Sequence, residues 1–451
     1  MKRVVVLNVV GLSKSLINEA MPGLSAFAAR QEVTSFKPVF PAVTCSVQST
    51  YLTGLCPSDH GIVGNGWYDQ EAAEVKFWKQ SNHLVRGEKL WEALRRENGE
   101  VTCAKMFWWY NMYSTADFSM TPRPMYPADG RKVFDVYAYP PSMREEVKEE
   151  LGDFPFPAFW GPRAGMASSQ WIADSAKWVE EKHQPSLNLV YLPHLDYGLQ
   201  KWGPGAPEMA VELAAIDTLL GELIEWYEAR AVEVVILSEY GISPVDQPVH
   251  LNRVFRAQGW LQIKEELGLE ILDCGACQAF AVADHQVAHV YLKDLSLLNE
   301  VRRVLEGVEG VAEVREGAFG DGIGGERAGD LVVVAEPRAW FTYYYWEDDA
   351  VAPDFARTID IHRKPGYDPV ELFLDPKLKV PQLKVAAFLA KKKLGLRALL
   401  DVIPLDASLV RGSHGRDEVP EAEQPVLIGA EARSVTSAKG VFSYLKGRCL
   451  R

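Results

Sequence analysis

The chain has 451 residues, 47% hydrophobic and 24% charged, which is enough apolar material for a large core in two or three domains and rules out a disordered or fibrous chain. Its net charge of −13 argues against a general nucleic-acid-binding surface, while leaving room for a local basic pocket around an anionic substrate. No apolar run reaches the roughly 18 residues of a transmembrane helix. Met1-Lys2-Arg3 followed by VVVLNVVGL reads as a first buried strand, because no small-residue cleavage site follows promptly. Six cysteines, at 45, 56, 103, 274, 277 and 449, are scattered as in a reducing compartment, so the cytoplasm is the expected location.

In chain order, Val4 to Val10 is the first strand, and Pro38 to Asp69 (PVFPAVTCSVQSTYLTGLCPSDHGIVGNGWYD) is the next informative stretch. Pro38 and Pro41 lead into Thr44, and a helical pattern then runs through Leu52 to stops at Gly54 and Pro57. Thr44 is thus expected at or near a helix N-terminus, where free N–H groups and the helix dipole favour an anion. An ordinary N-cap threonine is the plainer alternative on these residues alone. Phe107 to Tyr113 (FWWYNMY) follows a strand from Val101 and offers rings on which a base would stack at about 1–3 kcal/mol, with roughly half of them expected in the core.

Buried strands at Leu187 to Leu192 and Val232 to Leu237, with a helix from Met209 to Arg230 between them, predict an α/β fold with a largely parallel sheet. Active-site loops of such sheets lie beyond the carboxyl ends of the strands, where Asp196 and Glu239 fall. From about Phe255 to Pro337 the units shorten: a strand at 288–292, a helix at 296–306, strands at 311–314 and 331–335, and a Gly-rich turn at 317–325 that lacks the Lys-Ser/Thr of a Walker loop. Cys274 and Cys277 with His285 and His289 carry zinc-ligand types, but a strand through Gln278 to Val282 would separate them, so buried thiols are expected. A second aromatic run, Phe341 to Trp346 (FTYYYW), is a candidate wall for the substrate. Residues 377–397 combine lysines with Val385, Phe388, Leu389 and Leu394 as an amphipathic helix that could touch anionic lipid or a partner, a solvated helix face being the plainer reading.

FPAVT, the TGLCPSDHGI run and Asn65, in that order, resemble the nucleophile segment of the nucleotide pyrophosphatase/phosphodiesterase family (type I phosphodiesterase) of the alkaline phosphatase superfamily. The resemblance continues in order and approximate spacing over nearly the whole chain. It implies an alkaline-phosphatase-like α/β core with a mostly parallel sheet flanked by helices, formed by residues 1–254 and 338–451 around a small inserted α+β cap at 255–337. It further implies Thr44 as nucleophile, Asn65 as phosphate contact, and Trp108 and Tyr110 against the substrate.

The family's two-metal site uses three aspartates and three histidines, and this chain departs from it. Val10 stands where the first aspartate precedes Gly11, and uncharged Asn8 lies about 7 Å back along the same strand face. Gln200 replaces the histidine four residues after Asp196, and LSEYGI places Glu239 and Tyr240 where Asp-His is usual. Asp196, Glu239, His414 and Thr44 remain as implied ligands, with Gln200, Tyr240, Asn8, His362 in IDIHRKPGYDP, and His194 on the strand face of Asp196 as auxiliary donors. This set implies one or two divalent ions, Mn²⁺ or Zn²⁺ first and Mg²⁺ or Ca²⁺ as alternatives. The expected function is metal-dependent hydrolysis of phosphodiester or phosphoanhydride bonds through a threonine phospho-enzyme, on a small phosphorylated substrate such as a nucleotide. Phosphonate hydrolysis, or a catalytically silent phosphate-ester-binding protein on the same fold, are the alternatives.

Overall fold

The structure, a computed structural model, describes residues 2–317 and 324–451. The expected Gly-rich turn at 317–325 therefore falls largely outside the described residues. Apolar β-branched runs supply the central strands: β1 (Val4–Val9) reads VVVLNV and is buried at every position, as a strand covered on both faces must be. After it come β2 (Glu32–Ser35), β3 (Cys103–Met106), β4 (Phe118–Pro122), β5 (Val136–Tyr139), β6 (Leu187–Leu192) and β7 (Glu233–Leu237). A second group follows, β8 (Ala279–Asp284), β9 (Val287–Leu292), β10 (Val311–Glu316) and β11 (Leu331–Ala335), and the chain closes its main sheet with β12 (Val426–Gly429).

The main sheet runs β2-β12-β7-β1-β6-β3-β4-β5. Its middle is parallel, with β1 between β6 and β7, and its edges are antiparallel, through β12 on one side and β5 on the other. Parallel neighbours need crossover helices, which here include α1 (Thr44–Thr53), α2 (Met166–His183), α3 (His194–Trp202) and α4 (Met209–Glu228). The smaller sheet, β8-β9-β11-β10, is antiparallel throughout and is crossed by α5 (Leu298–Glu306). A helix, α6 (Pro381–Lys393), follows the smaller sheet in the chain.

Two cores result. One gathers Leu7, Val9, Trp91, Trp108, Leu189 and Ile236 between the main sheet and its helices. The other gathers Phe280, Val290, Trp340 and Tyr343 to Trp346. The aromatic run from Phe341 to Trp346 is therefore core and not the substrate wall the sequence suggested, because large rings lose more by exposure than a polar pocket returns. At the carboxyl end of β1 the chain turns through Gly11 at φ +80°, where an added Cβ would come within 2.8 Å of Leu199. A side chain there would be strained by the left-handed backbone and would make the Leu199 side chain turn aside.

Candidate active site

Thr44 opens α1, after Val43 in extended conformation, so the hydroxyl sits beside the unpaired N–H groups of the first turn. It is almost wholly buried and lies 3.0 Å from the phenol oxygen of Tyr240. Tyr240 donates to Asp196 Oδ1 at 3.3 Å, so when that bond is made the phenol oxygen must accept from Thr44. The result is a proton path from Thr44 through Tyr240 to a carboxylate. Asp196 and Gln200 are one turn apart on α3, and Gln200 Nε2 donates to Asp196 Oδ2 at 2.6 Å. Gln200 Oε1 accepts in turn from the Tyr367 hydroxyl at 2.8 Å.

Stacked rings close the circuit. Tyr367 lies on His285 at 3.6 Å, His285 faces His414 at 3.8 Å, and His414 lies on Tyr240 at 3.6 Å with planes 9° apart. Burial holds both imidazoles well below the usual histidine range, so they are neutral at pH 7. His414 Nδ1 is 2.7 Å from the Ala42 carbonyl and must carry the proton, leaving Nε2 as a buried acceptor without a partner among the described residues.

Behind Thr44, Glu239 is wrapped by amides. Asn8 Nδ2 and Gln48 Nε2 both donate to Glu239 Oε1 at 2.6 Å, and the Trp109 backbone N–H fixes Gln48 through its Oε1 at 2.7 Å. Burial pushes Glu239 up to about 8 and Asp196 up to about 7, with the donors from Gln48 and Asn8, and from Gln200 and Tyr240, opposing the rise. Asn65 Oδ1 accepts from the Cys45 N–H at 3.0 Å, while Asn65 N and Nδ2 donate to Asp284 at 2.7 and 3.0 Å. Asp284 also meets His285 Nδ1 at 2.8 Å, and burial lifts its carboxyl to about 6.

Thr44, Tyr240, Asp196, Gln200 and His414 are thus brought into one connected network that Asn65 joins through Asp284 and His285, while Asn8 and Glu239 form a second cluster tied to α1 by Gln48. Four other sequence candidates lie apart from it. His194 is in the first turn of α3, not on a strand face, and the helical rotation from Asp196 turns its Nε2 toward Glu212 Oε2 at 2.8 Å. His362 faces the Phe77 carbonyl at 3.4 Å. Trp108 is fully buried in the main core, and Tyr110 packs with Cys45, Ile62, Val63 and Trp109, because Lys105 and Asn111 tie the turn between them inward.

Gln48, Asp284, His285 and Tyr367 belong to the site without having been singled out for it. Gln48 was legible as the residue one helical turn after Thr44. Tyr367 stands in the PGYDP run already placed near the site, whereas Asp284 and His285 come from the β8–β9 turn of the smaller sheet, for which adjacent sequence gives no signal.

The donor set does not fit two ions. Among the described residues no group of three or more His, Cys, Asp or Glu is gathered to hold a metal. Amide N–H groups point at Glu239 Oε1 and Asp196 Oδ2, so partial positive charge already stands where cations would bind, and a stacked histidine-tyrosine column fills the space between the carboxylates and the smaller sheet. Cys274, Cys277, His285 and His289 likewise make no zinc site: His289 is spent on the Val63 carbonyl and the Gly329 N–H.

Comparison with known proteins agrees with this architecture. Over 258 residues, 53% of this chain, the sequence is 26% identical to an uncharacterized pyrophosphatase/phosphodiesterase of Schizosaccharomyces pombe. The chain spans 46% of that relative's length and 20% of human ectonucleotide pyrophosphatase/phosphodiesterase family member 1, which is 21% identical over 218 residues. Murine ectonucleotide pyrophosphatase/phosphodiesterase 5, in an inactive threonine-to-alanine variant bound to AMP, superposes with a TM-score of 0.57 at 13% identity, covering 100% of this chain and 95% of that one. Phosphonoacetate hydrolase of Sinorhizobium meliloti, in complex with phosphonoformate, gives 0.60 at 15% identity, covering 99% and 96%. These likenesses establish an alkaline-phosphatase-type fold. Residues 4–368 match the family model directly, and the chain belongs to the type I phosphodiesterase/nucleotide pyrophosphatase family, whose members are divalent-metal-dependent hydrolases.

Proposed function

We propose that this chain is a hydrolase of phosphoester or phosphoanhydride bonds in which Thr44 attacks phosphorus. The observation that carries the reading is the Thr44–Tyr240–Asp196 path at 3.0 and 3.3 Å, set at the N-terminus of α1. A threonine hydroxyl is a poor nucleophile until its proton has somewhere to go, and a carboxylate poised at about 7 behind a phenol supplies that acceptor near neutral pH. The first-turn N–H groups of α1 would meet the anion, and Asn65, held beside Thr44 by the Cys45 N–H and by Asp284, is the proposed phosphate contact. In the forward step the Thr44 oxygen forms a bond to phosphorus, the leaving alkoxide or phosphate departs, and the threonine proton passes through Tyr240 to Asp196. Water then attacks phosphorus and breaks its bond to the Thr44 oxygen: one water hydrogen stays on the released phosphate, the other neutralises the departed alkoxide or goes to solvent, and Asp196 returns its proton through Tyr240 to Thr44. The nucleotide-bound and phosphonate-bound relatives favour a small phosphorylated or phosphonate substrate.

A second reading has its own observation. The amide caps on Glu239 and Asp196 and the stacked column suit a protein that binds a phosphate ester without turning it over. Thr44→Ala separates the two. If Thr44 is the nucleophile, release of p-nitrophenol from bis-p-nitrophenyl phosphate or a p-nitrophenyl phosphonate ends while the protein stays folded at a cost of about 1 kcal/mol. Turnover that survives the substitution in contaminant-free protein rejects the mechanism. Absence of turnover by wild type with any such ester, with or without Mn²⁺ or Zn²⁺, favours the binding protein.

A further inference from the structure

Outside the site, residues 374–399 concentrate exposed apolar side chains: Leu374, Val380, Leu383, Leu389, Leu394, Leu396 and Leu399 all face solvent. The helix α6 within this segment has no buried residue at all. Its inner side is set by Lys384, Val385 and Phe388, which are half-buried, with Lys384 held by Asp401 at 2.8 Å. The opposite side is Leu383, Ala386, Ala387, Ala390 and Leu394, spaced at three and four residues, with Leu383 68% and Leu394 75% exposed. Lys391 and Lys393 flank this apolar face. Residues 377–397 carry seven Lys or Arg and no acidic residue, in a chain whose net charge is −13.

A helix of this length is marginal in water unless it is packed, and here one side is only half-buried and a second apolar face is left unpacked. From this geometry we propose that α6 and its flanks dock on an anionic lipid surface, with Leu383 and Leu394 entering the headgroup–acyl boundary and the lysines beside them meeting lipid phosphates. Charge complementarity selects this occupant. A second copy placed on the same face by two-fold symmetry would set two clusters of like charge against each other.

The test uses the full chain with vesicles of phosphatidylglycerol mixed with phosphatidylcholine, and with phosphatidylcholine alone, read by co-sedimentation at low and high salt. Binding is expected only to the anionic vesicles and is weakened by salt. Joint Leu383→Ser and Leu394→Ser substitution lowers the partition coefficient at least about tenfold. Joint Lys391→Gln, Lys392→Gln and Lys393→Gln substitution lowers it by about a hundredfold. Val211→Ser, an equally exposed apolar position on α4, leaves it unchanged. All these side chains are exposed, and an unaltered thermal transition in each variant certifies that the fold is kept. Equal sedimentation with both vesicle types, no sedimentation with either, or a concentration-dependent dimer dispersed by Leu383→Ser overturns the proposal.

Discussion

Replacing Glu239 by Gln tests the electrostatics of the site most sharply. Glu239 is fully buried, and its carboxyl is raised from 4.5 to about 8 chiefly by burial. In the unfolded chain it ionises near 4.5, while in the folded chain it keeps its proton until about 8. Its contribution to stability is therefore fully present below about 4.5 and is lost as pH rises through about 8. The shift sets a ceiling of about 5 kcal/mol on that loss, and interior polarisability reduces the measurable part to about 1–3 kcal/mol. In the variant, the glutamine oxygen takes the place of Oε1 and still accepts from Asn8 and Gln48, while its NH₂ takes the place of Oε2, which has no partner among the described residues. Urea unfolding at about pH 5, 6.5 and 8 reads the outcome. Wild type is expected to lose stability across this range, and Glu239→Gln to lose less and to exceed wild type at the alkaline end. Asp196, raised to about 7, leaves a smaller slope in the variant between about pH 4 and 7. A wild-type protein whose stability is flat or rises toward pH 8, with the variant weaker throughout, would falsify the argument and show Glu239 ionised in the fold.

Tyr240→Phe keeps the ring stacked on His414 but removes the hydroxyl between Thr44 and Asp196; turnover is expected to fall about 10²–10⁴-fold and stability by about 1–3 kcal/mol, and an unchanged rate would refute the proton path. Saturating Mn²⁺ or Zn²⁺ is expected to raise the unfolding temperature by less than about 2 °C, because amide donors already occupy the carboxylates; tight binding of one ion per chain with a shift of many degrees would show that the network opens around a metal. Asp284→Ala strips Asn65 of two acceptor contacts and His285 of one, and should cost about 2–4 kcal/mol in urea unfolding, whereas a cost below about 0.5 would mean that the smaller sheet does not brace the nucleophile loop.

Local signals were sufficient wherever the physics is local. Val4 to Val9 could only be a covered strand, and the Pro-bounded approach to Thr44 with Gly54 as its stop specified α1. The family, the order of the strands and the departures at Val10, Gln200 and Tyr240 were also readable from residue identity. What sequence could not supply was the partner of each group. His194 was expected beside Asp196 on a strand, but the strand ends at Leu192, and helical rotation sends it to Glu212 instead. Trp108 and Phe341 to Trp346 have the composition of a ligand slot, yet they lie in the two cores because each sheet needed large rings to fill it. Asp284 and His285 reach Asn65 and His414 only because the smaller sheet folds its first turn onto the main one, so closure of the network by residues 219 and 129 positions apart is a property of the tertiary packing alone.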